Sequence, residues 1–472
     1  MIASMHWNWS THRIASILGM PTTGKDQNIT RITTDSRSVK PGDLFVAIRG
    51  DAFDGHDFIP DAVRSGAIAI LTERDASAAA AITFKVPDTL RAIRTLAHAY
   101  RKQFNIPLIG VVGAVGKTTT KELISSLLLG RFKSVLKTEG SQNGFLGIPL
   151  TLLQLKAEHE VGVIEIGIDE IGAMDQHLAL VEPTHLILTR TGPEHLHQLK
   201  TVEIAAQEEL RAFDYGLANS IPLAINLSDP FVKNWYESHL TELLKMPHPS
   251  YSLIESDQAS VTGHFDAGHQ RLSVRWAPKT SSFSCPLPGE HHAHNLLAAI
   301  VVARLFNLSD EEIALGISRF KTASGRTEIH SLPQGIEVIG DHYNSNPTSL
   351  DAALRLLTAK PGSSQTHAVL GDMLELGDDE LRFHREVSAP LRALGVTHIW
   401  LYGPRMKALE SEWKNSISGK NSGKLQHFDT HESLVAALLP TLEPGARILV
   451  KGSRGMKMEK VLNAVLAWGK SK

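Results

Sequence analysis

The sequence predicts an α/β protein in three parts: a small α/β domain, a central doubly wound and mostly parallel sheet built around a phosphate-binding loop, and a Rossmann-like α/β section. Three observations predict it. The 472 residues leave room for about three domains at roughly 150 residues each. Short apolar runs alternate with helical stretches along the chain, the pattern of sheets covered by helices. A glycine-rich turn ending in Lys-Thr joins one such run to one such helix, the place where an open α/β sheet receives its ligand.

The first section, residues 1–85, mixes turn signals (KPGD at Lys40–Asp43, GDAFDGHD at Gly50–Asp57) with the buried-strand runs Leu44–Ile48 and Ala67–Leu71 and a helical Asp61–Ser65. Residues 86–318 open with a helix over Thr89–Phe104. Strands follow at Pro107–Val112, Val161–Ile166 and His185–Thr189, of the mainly apolar, buried parallel type, with a helix running through Lys121–Leu129. Residues 319–472 supply strands at Ile336–Ile339, His367–Leu370, His398–Leu401 and Arg447–Val450. Helices over Ser349–Leu357 and Leu434–Leu439 lie between them, and Ser416–Gly423 reads as a polar loop.

Composition narrows the function classes. Apolar residues make up 42% and charged residues 21%, ordinary for a globular chain. The formal charge of −2 offers no broad basic surface to nucleic acid or anionic lipid. Cys285 is the only cysteine, which excludes an internal disulfide or a thiolate-rich metal site and suits a reducing compartment. No apolar run reaches bilayer length, and the first eighteen residues lack the apolar core of a secretion signal. The expectation is a cytoplasmic monomer with neither nucleic acid nor inserted membrane as partner.

The sharpest chemical signal is Gly110-Val-Val-Gly113-Ala114-Val115-Gly116-Lys117-Thr118-Thr119. Such a loop turns backbone N–H groups toward an anion, and the helix dipole adds to their field. Lys117 suits the β and γ phosphates of a nucleotide and the Thr118 hydroxyl suits Mg²⁺. The spacing departs from the strict P-loop at Val111. A helix-capping glycine turn with an incidental lysine is the competing reading. Glu165 at the end of its strand and His195 after the next strand are candidate metal ligands, against the plainer readings of a solvated strand cap and a surface histidine. The tract Gly289-Glu-His-His-Ala-His-Asn295 lacks zinc-site spacing.

With these residues placed, the chain resembles the Mur ligase family along nearly its full length. The resemblance lies in Asp35-Ser-Arg37-Ser-Val-Lys-Pro-Gly42, the GKTTTKE run from Gly116 to Glu122, and Gly192-Pro-Glu-His195-Leu. It is strongest in Asp341-x-Tyr343-Asn344-x-Asn346-Pro347, Leu370-Gly-Asp372-Met-Leu-Glu375 and Val450-Lys451-Gly-Ser453-Arg454-Gly. These last three blocks are most similar to the branch of the family that adds a dipeptide.

The resemblance implies an ATP- and Mg²⁺-dependent amide ligase that joins D-alanyl-D-alanine to UDP-N-acetylmuramoyl tripeptide through an acyl phosphate. It implies that Gly113 through Thr119, Asn295, Arg326 and Asp341 meet the nucleotide, and that Thr118, Glu165 and His195 hold metal. Ser36 and Arg37 would meet the UDP moiety, and Asn344, Asn346, Asp372 and Glu375 the dipeptide; Tyr343 has no assigned role. Lys117, His195 and Glu209 are the expected catalytic residues. Relatives carry a carbamylated lysine after the GPxHL segment. This chain has no lysine between Lys200 and Lys233; ungapped comparison puts Glu209 at the equivalent position, or Glu208 if the register slips by one. Two alternatives stay open: a related ligase with another carboxylate and amine, and a nucleotide- or precursor-binding protein without turnover.

Overall fold

The computed structural model describes residues 9–22, 24–50, 53–75, 81–253, 256, 258–360, 365–415 and 423–471. Residues 416–422 of the predicted polar loop, Asp51 and Ala52 of the Gly50–Asp57 turn, and the first eight residues lie outside them. Two compact units emerge: Met1–Leu108 with Ser134–Ile164 and Gln176–Glu182, and Ile109–Lys133 with Glu165–Asp175 and Pro183–Lys472.

In the first unit, four parallel strands stand in chain order: Arg31–Thr33, Asp43–Val46, Ala69–Thr72 and Ile82–Lys85. Phe45 and Ile70 point to one face, where they pack with Ile59 and Ala62 of the Ile59–Arg64 helix. Alternation fixes this arrangement, because successive strand residues face opposite sides. The Thr89–Arg101 helix starts at Asp88, whose carboxylate accepts from Arg91 N at 2.8 Å, and it buries Ile93, Leu96 and Ala97 as its spacing predicts.

The second unit holds two sheets. In one, the parallel strands Leu108–Val112, His185–Leu188, Leu223–Asn226, Ser250–Ser252 and Val261–Asp266 stand side by side. Antiparallel Arg271–Trp276 and Lys279–Ser284 extend them. The two antiparallel strands alternate buried and exposed residues, a weaker signal than the continuous apolar runs, and the sequence reading does not separate them. The Lys117–Leu128 helix lies against Glu290–Leu305 and Asp310–Arg319. At Gly316 the approach is so close that a Cβ would overlap Leu127 Cα and come within 2.7 Å of Ser126 O.

The other sheet runs Glu328–Ser331, Glu337–Asp341, Arg447–Lys451, Thr366–Gly371, His398–Tyr402 and Lys424–Phe428, parallel except for the first strand. Val338, Val369, Ile448 and Val450 belong to its core, with Leu434, Val461 and Val465. Asp341 and Lys451 end adjacent strands in register, and Asp372 follows the next strand. Three sequence blocks widely separated in the chain thereby meet at the carboxyl ends of neighbouring strands, where open α/β sheets bind ligands.

Candidate active site

The loop between the Leu108–Val112 strand and the Lys117–Leu128 helix turns on two glycines in left-handed backbone, Gly113 at φ +120° and Gly116 at φ +89°, a region that only glycine enters freely. A Cβ on Gly116 would stand 2.6 Å from Asn295 Oδ1, which places Asn295 directly beside the turn. Gly113 N donates to Glu209 Oε2 at 2.7 Å. Ala114 N and Val115 N donate to the Arg190 carbonyl at 2.7 and 3.3 Å. The amides expected to face an anion are thus engaged by the protein, and an anion at this turn would compete for them.

Lys117 and Thr118 open the helix and lead to two separate carboxylates. Lys117 Nζ donates to Glu194 Oε1 and Oε2 at 2.7 and 3.0 Å. Burial acts to lower the lysine pKa, but Glu194 and Glu209 outweigh it and hold the ammonium charged. Thr118 Oγ1 donates to Glu165 Oε1 at 3.0 Å. Lys121 Nζ, fully buried one turn on, lies 3.7 Å from Glu165 Oε2 and 2.9 Å from Glu122 Oε1.

His195 stands at the start of the short Leu196–Leu199 helix in left-handed backbone, φ +49°. Its Nδ1 is 2.7 Å from Glu375 Oε2 and its Nε2 is 3.5 Å from Glu194 Oε1. Burial pulls the imidazole pKa down; the bonds to Glu194 and Glu375 more than offset it and raise it to about 9. As placed, His195 bridges the carboxylates of Glu194 and Glu375. A continuous chain of charges therefore runs Lys117–Glu194–His195–Glu375. Glu209 keeps a buried Oε1 with no hydrogen-bond partner among the described residues. Its pKa is raised, first by burial and then by Glu194, against the opposing pull of Lys117 and Gly113 N.

Among the described residues no group of three His, Cys, Asp or Glu side chains converges as a metal cage. Thr118 with Glu165 is still a donor set that suits Mg²⁺, which takes one or two carboxylates and keeps water for the rest.

At the other sheet, Asp341 Oδ2 receives Lys451 Nζ at 2.6 Å and Asp341 Oδ1 receives Thr327 N at 3.1 Å. Arg326 lies over the Tyr343 ring, 4.5 Å from its centre. Asn344 Oδ1 accepts from Ser345 N. Two residues expected near the dipeptide hold backbone groups. Asn346 caps the Pro347–Thr358 helix through Ser349 N at 2.8 Å. Asp372, fully buried, accepts from Arg405 N and Met406 N at 3.2 and 3.0 Å. In the first unit, Ser36 and Arg37 form a 3₁₀ turn, and the exposed Arg37 guanidinium is paired with Asp35 at 2.9 Å.

Family models match the chain in three consecutive stretches. The Mur ligase family catalytic domain matches residues 28–101, the Mur ligase middle domain 111–303, and the Mur ligase glutamate ligase domain 325–454. The chain is 35% identical to the UDP-N-acetylmuramoyl-tripeptide–D-alanyl-D-alanine ligase of Synechocystis sp., covering 96% of this chain and 95% of that one. It is 31% identical to the ligase of the same name from Bacillus subtilis, covering 92% and 93%. The chain belongs to the Mur ligase family.

Among solved structures of this family, MurF from Acinetobacter baumannii superposes with a TM-score of 0.85 at 26% identity, covering 97% of this chain and 99% of that one. Glu194 and Arg190 escape the reading of the Mur ligase motifs. Glu194 occupies the x of GPxH, and a carboxylate beside a candidate catalytic histidine is its local signal. Arg190 acts through its carbonyl, which leaves no trace in residue type. Cys285 is buried and its thiol pushed up to about 12, so it stays un-ionised.

Proposed function

We propose that this Mur ligase family member joins D-alanyl-D-alanine to UDP-N-acetylmuramoyl tripeptide with ATP as the driving co-substrate, forming a peptidoglycan precursor. Residues 1–85 would bind the UDP substrate through Ser36 and Arg37, residues 86–318 the nucleotide, and residues 319–472 the dipeptide. The reading is supported above all by the unbroken charge chain from Lys117 to Glu375. It ties the phosphate-binding loop to the loop that carries one of the dipeptide-adding sequence blocks.

In the reaction, the tripeptide carboxylate attacks the γ-phosphorus, ADP departs, and the dipeptide amine then displaces phosphate from the acyl phosphate. Little covalent help is needed, so catalysis rests on charge neutralisation and alignment. Lys117 offsets phosphate charge while Glu194 holds its ammonium in place. Gly113 to Gly116 shape the turn, with Thr119 in the first helical turn behind it. Asn295 would lie on the adenine side, Arg326 at phosphate and Asp341 at ribose. Glu209 keeps the loop in register through Gly113 N. Asn344 and Glu375 would lie near the dipeptide, Glu375 through the loop that His195 anchors, while Asn346 and Asp372 would fix the loops around it. Bound magnesium, held by Thr118 and Glu165, would neutralise phosphate oxygens. We place the reaction in the cytoplasm and on a single chain.

Phosphate release from MgATP with each substrate omitted in turn tests the proposal. Release that needs both the UDP-tripeptide and the dipeptide is expected. Release indifferent to that pair would point to another carboxylate and amine, and nucleotide binding without release to a non-catalytic protein.

A further inference from the structure

We propose that Arg454 holds the free carboxylate of the incoming dipeptide, which makes it a specificity-determining residue of the ligase; this rests on the reaction proposed above. The Tyr343 ring carries two guanidinium groups, Arg326 at 4.5 Å and Arg454 at 5.4 Å from its centre. Arg326 also acts on Asp341, helping to hold that carboxyl below the usual range. Lys451 nearby is already matched by Asp341. Arg454 is exposed, and among the described residues no carboxylate lies within ion-pairing distance of it. Glu375, the acidic group on the neighbouring loop, is turned to His195.

The root of Arg454 is rigid even though its head is free. Ser453 Oγ accepts from Leu374 N at 2.9 Å and donates to the Ser345 carbonyl at 3.2 Å. Ser453 N donates to the Asp372 carbonyl at 3.0 Å. One serine thereby staples the loop after Asp341 to the loop after Gly371, and Arg454 projects from the staple. An aromatic bed under a guanidinium restrains its plane and leaves its N–H edge free for the two-pronged contact that carboxylates favour. The nucleotide phosphates have Lys117 and the glycine turn. The remaining anion whose other end must present an amine is the dipeptide carboxylate.

Initial rates of phosphate release for wild type, Arg454→Gln and Arg454→Lys, with each substrate varied in turn, test this against D-Ala-D-Ala and its C-terminal amide. In Arg454→Gln the dipeptide KM should rise about tenfold or more, with Arg454→Lys between, while the other two KM values stay within about twofold. The wild-type preference for the free acid over the amide should collapse in Arg454→Gln. An unchanged dipeptide KM, an unchanged preference, or a rise confined to the ATP or UDP-tripeptide KM overturns the assignment. Calorimetric binding of the dipeptide and its amide to the same proteins gives the comparison without turnover. Arg454-dependent binding of the acid alone would sustain the assignment even where the wild type released no phosphate, and equal binding of both would refute it. Wild-type release that needs both substrates, with Arg454 indifferent, leaves the ligase reading intact and removes this one.

Discussion

Lys117 and Glu194 sit almost sealed from water, with side-chain exposures of 7% and 15%, so each is the other's principal compensation. Removing one partner of such a pair leaves a buried charge and costs about 3–5 kcal/mol. Lys117→Ala should therefore lower the denaturation midpoint as well as cut phosphate release by at least about a hundredfold, and turnover near the wild-type rate would refute its place at the phosphates. His195 offers a separate check by NMR titration. Its pKa of about 9 stands above the ordinary 6.5. The stability it contributes is complete below about 6.5 and is lost as pH rises through about 9. In Glu375→Gln the imidazole should titrate closer to neutrality, and the fall in stability over that window should become shallower.

Among the elements, the glycine loop and the helix behind it depend on contacts that no side chain may fill. A Cβ on Gly113 would clash with Thr189 Oγ1 and stand 3.0 Å from Arg190 N, in backbone at φ +120°. Gly113→Ala should weaken ATP binding strongly in calorimetry and cost about 1–3 kcal/mol in chemical denaturation. Asn346 makes an informative contrast. The resemblance assigns it to the dipeptide, yet its side chain caps a helix. Asn346→Ala should cost about 1 kcal/mol and Asn346→Ser close to nothing, as read from denaturant midpoints. A dipeptide KM that moves in Asn346→Ser, where the cap survives, would restore a direct binding role.

At the scale of the whole molecule, ligand binding should appear as stability. A nucleotide that binds only the folded chain stabilises it by about 2.7 kcal/mol at a hundred times its Kd, so MgATP should raise the melting temperature of the wild type and leave Lys117→Ala unmoved. Much of this architecture is legible in the chain. The Leu108–Val112 and Val161–Glu165 strands announce themselves because parallel strands buried on both faces are mostly apolar, here broken only by the terminal Glu165. The hairpin strands Arg271–Trp276 and Lys279–Ser284 do not, since one face is wet and their polar residues blend with loop composition. Lys117, Thr118 and Glu165 are legible because their chemistry is bound to a local motif. The partnership of Glu194 with Lys117 is not, because 77 residues separate them and only the fold closes that distance.

Sequence by itself determined the family, the three-part α/β organisation and the residue types available for phosphate chemistry, since these follow from local periodicity and from motifs read within a few residues. Tertiary structure alone decided which polar groups meet: Glu209 on the loop amide, His195 between two carboxylates, Asp372 and Asn346 on backbone N–H groups, and Arg454 beside Tyr343 without a carboxylate among the described residues. Electrostatic partnership depends on distance through space and on exclusion of water, and neither quantity is encoded at any single position of the chain.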